Sequence, residues 1–162
     1  NNATGFGNSV YETGALDGQG ISGTRSQRLA NDQPLNVFYL REFQNIDKAT
    51  GQSVYKDDGN TLYYVGNPNP KTVYGFTTDF NWHKLSAVIN MNGASGHVIY
   101  NNTANTVLPI GNLGTRNVAA NLVGTGVKED QPNPIVASTR FLEKGNYLKM
   151  ANASVSLSLI HI

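Results

Sequence analysis

Between residues 72 and 92, apolar and polar positions alternate with the two-residue period of a strand. Tyr74, Phe76, Thr78, Phe80 and Trp82 fall on one side, and Val73, Gly75, Thr77, Asp79 and Asn81 on the other, because successive strand side chains point to opposite faces. After His83 the pattern resumes. Leu85, Ala87, Ile89 and Met91 face one way; Lys84, Ser86, Val88, Asn90 and Asn92 face the other. No residues are left over for a loop, so 72–82 and 84–92 are predicted to pair antiparallel, joined at His83. A third run sets Ala151, Ala153, Val155, Leu157 and Leu159 against Asn152, Ser154, Ser156 and Ser158.

The non-apolar face is small, neutral and hydrogen-bonding rather than charged, as the inner wall of a wide barrel is. The pattern therefore predicts an all-β chain of antiparallel strands with long loops, forming part of a large transmembrane β-barrel. Asp79, Asn81, Ser86, Asn90, Ser154 and Ser156 are expected to face the lumen. Phe76, Phe80, Leu85, Ile89, Val155 and Leu157 are expected to face lipid. Short turns lie on the periplasmic side of such barrels. The turn at His83 is accordingly placed there, with Phe80 and Trp82 in the interfacial aromatic girdle. Residues 93–146 become an external excursion, and 147–159 the returning strand.

Elsewhere the signals are weaker. Residues 1–34 read as loop, and 35–43 as a strand after Pro34. Residues 44–71 hold turn signals at Thr50-Gly51, Asp58-Gly59-Asn60 and Gly66-Asn67-Pro68-Asn69-Pro70. Strand-like pieces stand near 97–100 and 139–143. Loops on a rigid scaffold carry recognition, so Tyr100, Asn101, Asn102, Arg116 and Asn117 are the candidate substrate-binding residues.

Composition narrows the function classes. Charged residues are only 14% of 162, the net charge is +1 without a basic block, and cysteine is absent. Nucleic-acid binding has no electrostatic footprint, and neither a disulfide framework nor a thiolate metal site exists. Gly18-Gln19-Gly20-Ile21-Ser22-Gly23 matches GxGxxG in form, but no strand–helix context is readable around it. Asp57-Asp58-Gly59-Asn60 reads as a turn. As a calcium loop it fails, because its twelfth position is Pro68 rather than Glu.

His83, His97 and His161 share no ligand spacing. Glu129 and Asp130, adjacent in a loop, cannot face each other across a cleft as glycoside hydrolysis requires. Asn2-Ala3-Thr4, Asn101-Asn102-Thr103 and Asn152-Ala153-Ser154 match the glycosylation sequon, at the frequency chance gives in so Asn-rich a chain. Tyr63, Tyr64 and Tyr100 suit stacking on sugars only if exposed. No enzyme and no cofactor are expected.

The order of several motifs resembles the SusC/RagA-like TonB-dependent transporters, the glycan and peptide importers of Bacteroidetes outer membranes. They are Asp57-Asp58-Gly59-Asn60, Gly66-Asn67-Pro68-Asn69-Pro70, Tyr74-Gly75-Phe76, Trp82-His83-Lys84-Leu85-Ser86 and Gly96-His97-Val98-Ile99-Tyr100-Asn101. Later comes the run from Ser138 through Arg140-Phe141-Leu142-Glu143 to Tyr147-Leu148-Lys149-Met150. The resemblance implies an outer-membrane location and an oligosaccharide or peptide ligand. It also implies a SusD-like surface lipoprotein and TonB as partners of the full-length parent. Family chains are several times longer, with a signal peptide, a plug domain and about 22 strands. Residues 1–162 are thus expected to be a single segment from the C-terminal part of a barrel, without plug or signal peptide. The alternative is a soluble all-β carbohydrate-binding or adhesin module. The aromatic face from Tyr74 to Trp82 separates the two: it meets lipid in the first and a protein core in the second.

Overall fold

The computed structural model describes residues 4–5, 9–18, 20–129 and 135–159. Six strands come first: β1 (Tyr11–Ala15), β2 (Arg25–Leu29), β3 (Val37–Leu40), β4 (Phe43–Ile46), β5 (Ser53–Tyr55) and β6 (Tyr63–Gly66). Then follow β7 (Thr72–Trp82), β8 (Leu85–Ser95), β9 (Val98–Tyr100), a short helix α1 (Asn102–Thr106), β10 (Leu142–Lys144) and β11 (Tyr147–Leu157). The chain is mostly β, its sheets are antiparallel, and no closed barrel forms among the described residues. Among the described residues no helix is long and apolar enough to cross a membrane, which says nothing about strands. Contacts divide the chain into two compact units: Asn1–Pro68 with Val98–Glu143, and Asn69–His97 with Lys144–Ile162.

The first unit holds a four-stranded sheet in the order β1-β2-β3-β6. Its centre is β3, where Val37, Phe38 and Leu40 are all buried. A strand buried on both faces reads as a continuous apolar run rather than an alternation. Phe38 and Leu40 join Leu16, Ile21 and Ala137 in the core, with Val65, Val98, Tyr100 and Leu142 packed against it. The expected strand over 35–43 is shorter. Asn36 adopts a left-handed φ of 53°, leaving Leu35 in a turn closed by Val37 N donating to Pro34 O (3.1 Å). At Arg41 the ladder gives way to a parallel bridge with Ser138.

One expectation is corrected: residues 1–34 are not all loop, because β1 and β2 pair across them. Their side chains are mostly polar, so the pairing has no apolar alternation to announce it. Cross-strand contacts hold it instead: Arg28 bonds Glu12 (2.7 Å) and stacks 3.8 Å from the centroid of the Tyr39 ring. Residues 44–71 contain the expected turns, with β5 and β6 between them. One turn is built on Asp47, whose carboxylate accepts from the Thr50 hydroxyl (2.7 Å) and from Ala49 N (2.9 Å). Those bonds hold its pKa below the ordinary 3.8.

The second unit is a three-stranded sheet in the order β11-β8-β7. The predicted hairpin is present: Trp82 pairs with Leu85 and Thr72 with Ser95, so only His83 and Lys84 turn the chain. His83 takes φ 51°, a left-handed conformation in which His is several-fold enriched among non-glycine residues. The strand expected to end at 92 runs on to Ser95. In β11, Met150 pairs with Met91 but Asn152 with Asn90, leaving Ala151 as the extra residue of a bulge. Ala151 therefore does not continue the odd-numbered apolar row. The bulge resets parity, so Leu148 and Met150 share a face with Ala153, Val155 and Leu157.

A single contact ties all three strands. Gly93 has no side chain, and a Cβ built there would lie 2.3 Å from the Tyr74 ring and 2.5 Å from the Tyr147 carbonyl oxygen. The ring occupies that space, and its hydroxyl donates to Tyr147 O (3.0 Å). Replacing Gly93 by Ala is expected to destabilise the sheet by about 1–3 kcal/mol, the range for overpacking. Gly75→Ala, with open space around its Cβ, is expected to be neutral. Denaturant unfolding of both variants in the full-length protein checks the pair, and equal effects would refute the account.

Candidate functional site

The register of the second unit sorts its side chains into two faces. On one lie Tyr74, Phe76, Thr78, Phe80 and Trp82 of β7, then Leu85, Ala87, Ile89 and Met91 of β8, then Leu157, Val155, Ala153, Met150 and Leu148 of β11. This face is not covered. Phe76 is 58% exposed, Trp82 62% and Val155 74%. Tyr74 and Trp82 bracket it. Their eight-residue separation corresponds to about 26 Å of strand at ~3.3 Å per residue.

The opposite face is polar and built in rows. Asn81, Ser86 and Ser156 align across the three strands, as do Asp79, Val88 and Ser154, and then Thr77, Asn90 and Asn152. Asp79, Asn81, Ser86, Asn90, Ser154 and Ser156, expected as one set from the sequence, thus share one face. Asp79, Asn81, Ser154 and Ser156 are exposed, while Ser86 and Asn90 are half-buried.

In the first unit the candidate binding residues divide. Tyr100 lies in β9 with its ring 6.4 Å from Phe38 and 6.2 Å from Phe141. Its hydroxyl accepts from Asn105 Nδ2 (3.0 Å), and burial raises its phenol pKa above the ordinary 10.0. It is a packing residue rather than an open stacking platform. Asn101 caps α1, its Oδ1 accepting from Ala104 N (2.8 Å) while its Nδ2 donates to Glu143 (2.7 Å). Asn102 donates to Asp17 O (3.0 Å). Arg116 and Asn117 are exposed in the loop that follows α1.

That loop is anchored by a pair the sequence does not announce. Glu129, nearly fully buried, forms an ion pair with Arg140 and accepts from Ile110 N (3.2 Å). Arg140 also reaches Ser53 Oγ (3.3 Å) and sits beside the rings of Phe43 and Phe141. Glu129 and Arg140 are eleven positions apart with no local motif, so only the folded contact joins them. Asp130, the other half of the adjacent carboxylate pair, lies outside the described residues.

The remaining motifs find ordinary places. The GxGxxG segment connects β1 to β2 and is followed by a strand, with Gln19 outside the described residues. Asp57 and Asp58 both take φ 51° in a turn, and the Tyr63 hydroxyl donates to Asp57, which raises the Tyr63 pKa. Among the described residues no three His, Cys, Asp or Glu side chains gather as a metal site. Asn2, Ala3 and His161 lie outside the described residues.

The second unit is thus an antiparallel three-stranded sheet, apolar on one side and polar on the other. No protein-family profile matches the chain, and no curated protein matches it. Solved structures do. A chain of the RagAB peptide importer in its closed-closed state superposes with a TM-score of 0.61 at 21% identity, over 80% of this chain and 17% of that one. The open-open state of the same importer gives 0.62 at 19% identity, over 95% of this chain and 18% of that one. The chain therefore spans less than a fifth of the length of these matches, and the likeness is one of fold. The matched structures are of a transporter rather than an enzyme.

Removing Arg140 leaves the Glu129 carboxylate buried without its partner. Arg140→Met is expected to destabilise the first unit by about 3–5 kcal/mol, the range for breaking a buried pair. The double variant Arg140→Met/Glu129→Met is expected to recover most of that loss. Protease susceptibility of the loop in the two variants checks it, and equal susceptibility would count against the pairing.

Proposed function

We propose that this chain is a wall segment, with its surface loops, of an outer-membrane TonB-dependent importer of peptides. The carrying observation is the uncovered aromatic face of β7, β8 and β11, together with the two outer edges of that sheet, which have no strand partner among the described residues. In water such a face favours aggregation; in a bilayer it is solvated by lipid, and neighbouring strands pair the edges. The fold likeness to the RagAB peptide importer supports a peptide over an oligosaccharide as cargo. In this reading the row of Asn and Ser side chains faces the lumen, and a SusD-like surface lipoprotein and TonB act through the full-length protein. Both units belong to one importer. The chain does no bond chemistry: binding groups hold cargo, and the energy comes through TonB. A soluble sandwich module would bury the Tyr74–Trp82 face in its own core, whereas here that face is exposed.

Single cysteines introduced at Asn90 and Ile89 of the full-length protein test the wall. A water-soluble maleimide is expected to label Asn90→Cys at least tenfold faster than Ile89→Cys in intact outer membranes. Equal labelling would refute the two-faced wall. Uptake of labelled oligopeptides by cells, with an oligosaccharide as the parallel probe, tests the cargo.

A further inference from the structure

Residues 108–129 close on themselves: Ala119 N donates to Leu108 O (3.0 Å), and Glu129 holds Ile110 N. Inside this loop one turn is built twice, ten residues apart. Asn112 N bonds Pro109 O as Leu122 N bonds Ala119 O, and Leu113 N bonds Ile110 O as Val123 N bonds Ala120 O. Thr115 N and Oγ1 both donate to Asn112 O, and Thr125 N and Oγ1 both donate to Leu122 O. Leu113 (φ −59°, ψ 129°) and Val123 (φ −69°, ψ 129°) are each followed by a glycine, at φ 96° and 76°. These are the dihedrals of a type II turn.

The first corner of each turn points an aliphatic side chain into solvent, Leu113 at 60% and Val123 at 52% exposure. The turn itself does not require this, since proline or polar residues suit that corner. Loops of this length in compact units are uncommon and usually functional. Residues 102–128 contain no Asp or Glu, Glu129 at the end of the loop is buried and paired with Arg140, and Arg116 directly follows the first turn, exposed. The stretch also lacks aromatic residues, and Lys128 is its only other cation. A segment lying on a lipid surface draws on aromatic anchors and clustered cations, so this composition favours a peptide over a membrane.

We propose that the twin turns form a docking surface for the cargo peptide, Leu113 and Val123 seating its aliphatic side chains and Arg116 pairing with a carboxylate. This rests on the peptide-import reading above and adds a preference to it: acidic, aliphatic-rich peptides.

The test uses the full-length protein and three synthetic decapeptides: one of leucine and glutamate among glycine and serine, one with lysine for glutamate, and one with serine for leucine. The first is expected to bind at least tenfold tighter than either other. Leu113→Ser/Val123→Ser is expected to lose about tenfold on the leucine peptides only. Arg116→Glu is expected to invert the preference between the glutamate and lysine peptides. If the wild type binds no peptide, the import reading and this inference both fall. If it binds all three alike, or both variants behave as wild type, this inference alone falls. A polarity-sensitive label on Leu113→Cys that reports an apolar setting before any peptide is added would place the turns in lipid and also overturn it.

Discussion

Backbone pairing across β8 is the constraint on which the second unit depends. A strand in hydrocarbon must satisfy every N–H and C=O within a ladder, because no water is there to replace a lost bond. The central strand β8 meets that demand on both sides, with β7 and β11 in register over nearly its whole length. The outer edges of β7 and β11 do not meet it among the described residues. An uncovered apolar face and two open edges favour association in water, so the ladder through β8 carries the cohesion of the sheet.

Several local features serve that ladder. The two-residue turn at His83 keeps β7 and β8 in step from their first pair, Trp82 with Leu85. Gly93 leaves room for Tyr74 to lie across the sheet and reach the third strand. The bulge at Ala151 matters most for the faces. A one-residue shift moves every following side chain to the other side of a strand. Without the bulge, Leu148 and Met150 would join the polar face and Lys149 the apolar one. With it, the lysine lies in a row with Asn92 and Gly75. One extra residue thus keeps a charge off the apolar band.

How legible all this was depended on whether a side-chain pattern carried the structure. The hairpin β7–β8 was readable because its two faces differ in polarity at every step. The polar set from Asp79 to Ser156 followed from the same period. β1 and β2 were not readable, since residues such as Glu12, Arg25 and Arg28 give no apolar alternation and backbone bonds do the pairing. The bulge was invisible because the run from Ala151 to Leu159 continues the period without a break. The loop residues were partly misplaced for a related reason. Tyr100 looks available in sequence, yet the neighbours that bury it, Phe38 and Phe141, come from distant parts of the chain. The Glu129–Arg140 pair has the same origin.

The two units resolve the burial of apolar surface in opposite ways. In the first, Leu40 and Ile21 are almost wholly withdrawn from solvent, and even a charged pair, Glu129 with Arg140, is enclosed. That is the organisation of a water-facing structure, in which apolar groups gather inward and buried charge is paired. In the second, all eleven residues of β11 are exposed, Val155 and Leu157 included. Sorting polar from apolar residues there is done by face rather than by depth. Each unit thus follows its own rule for its apolar side chains: inward packing in the first, segregation to one face in the second.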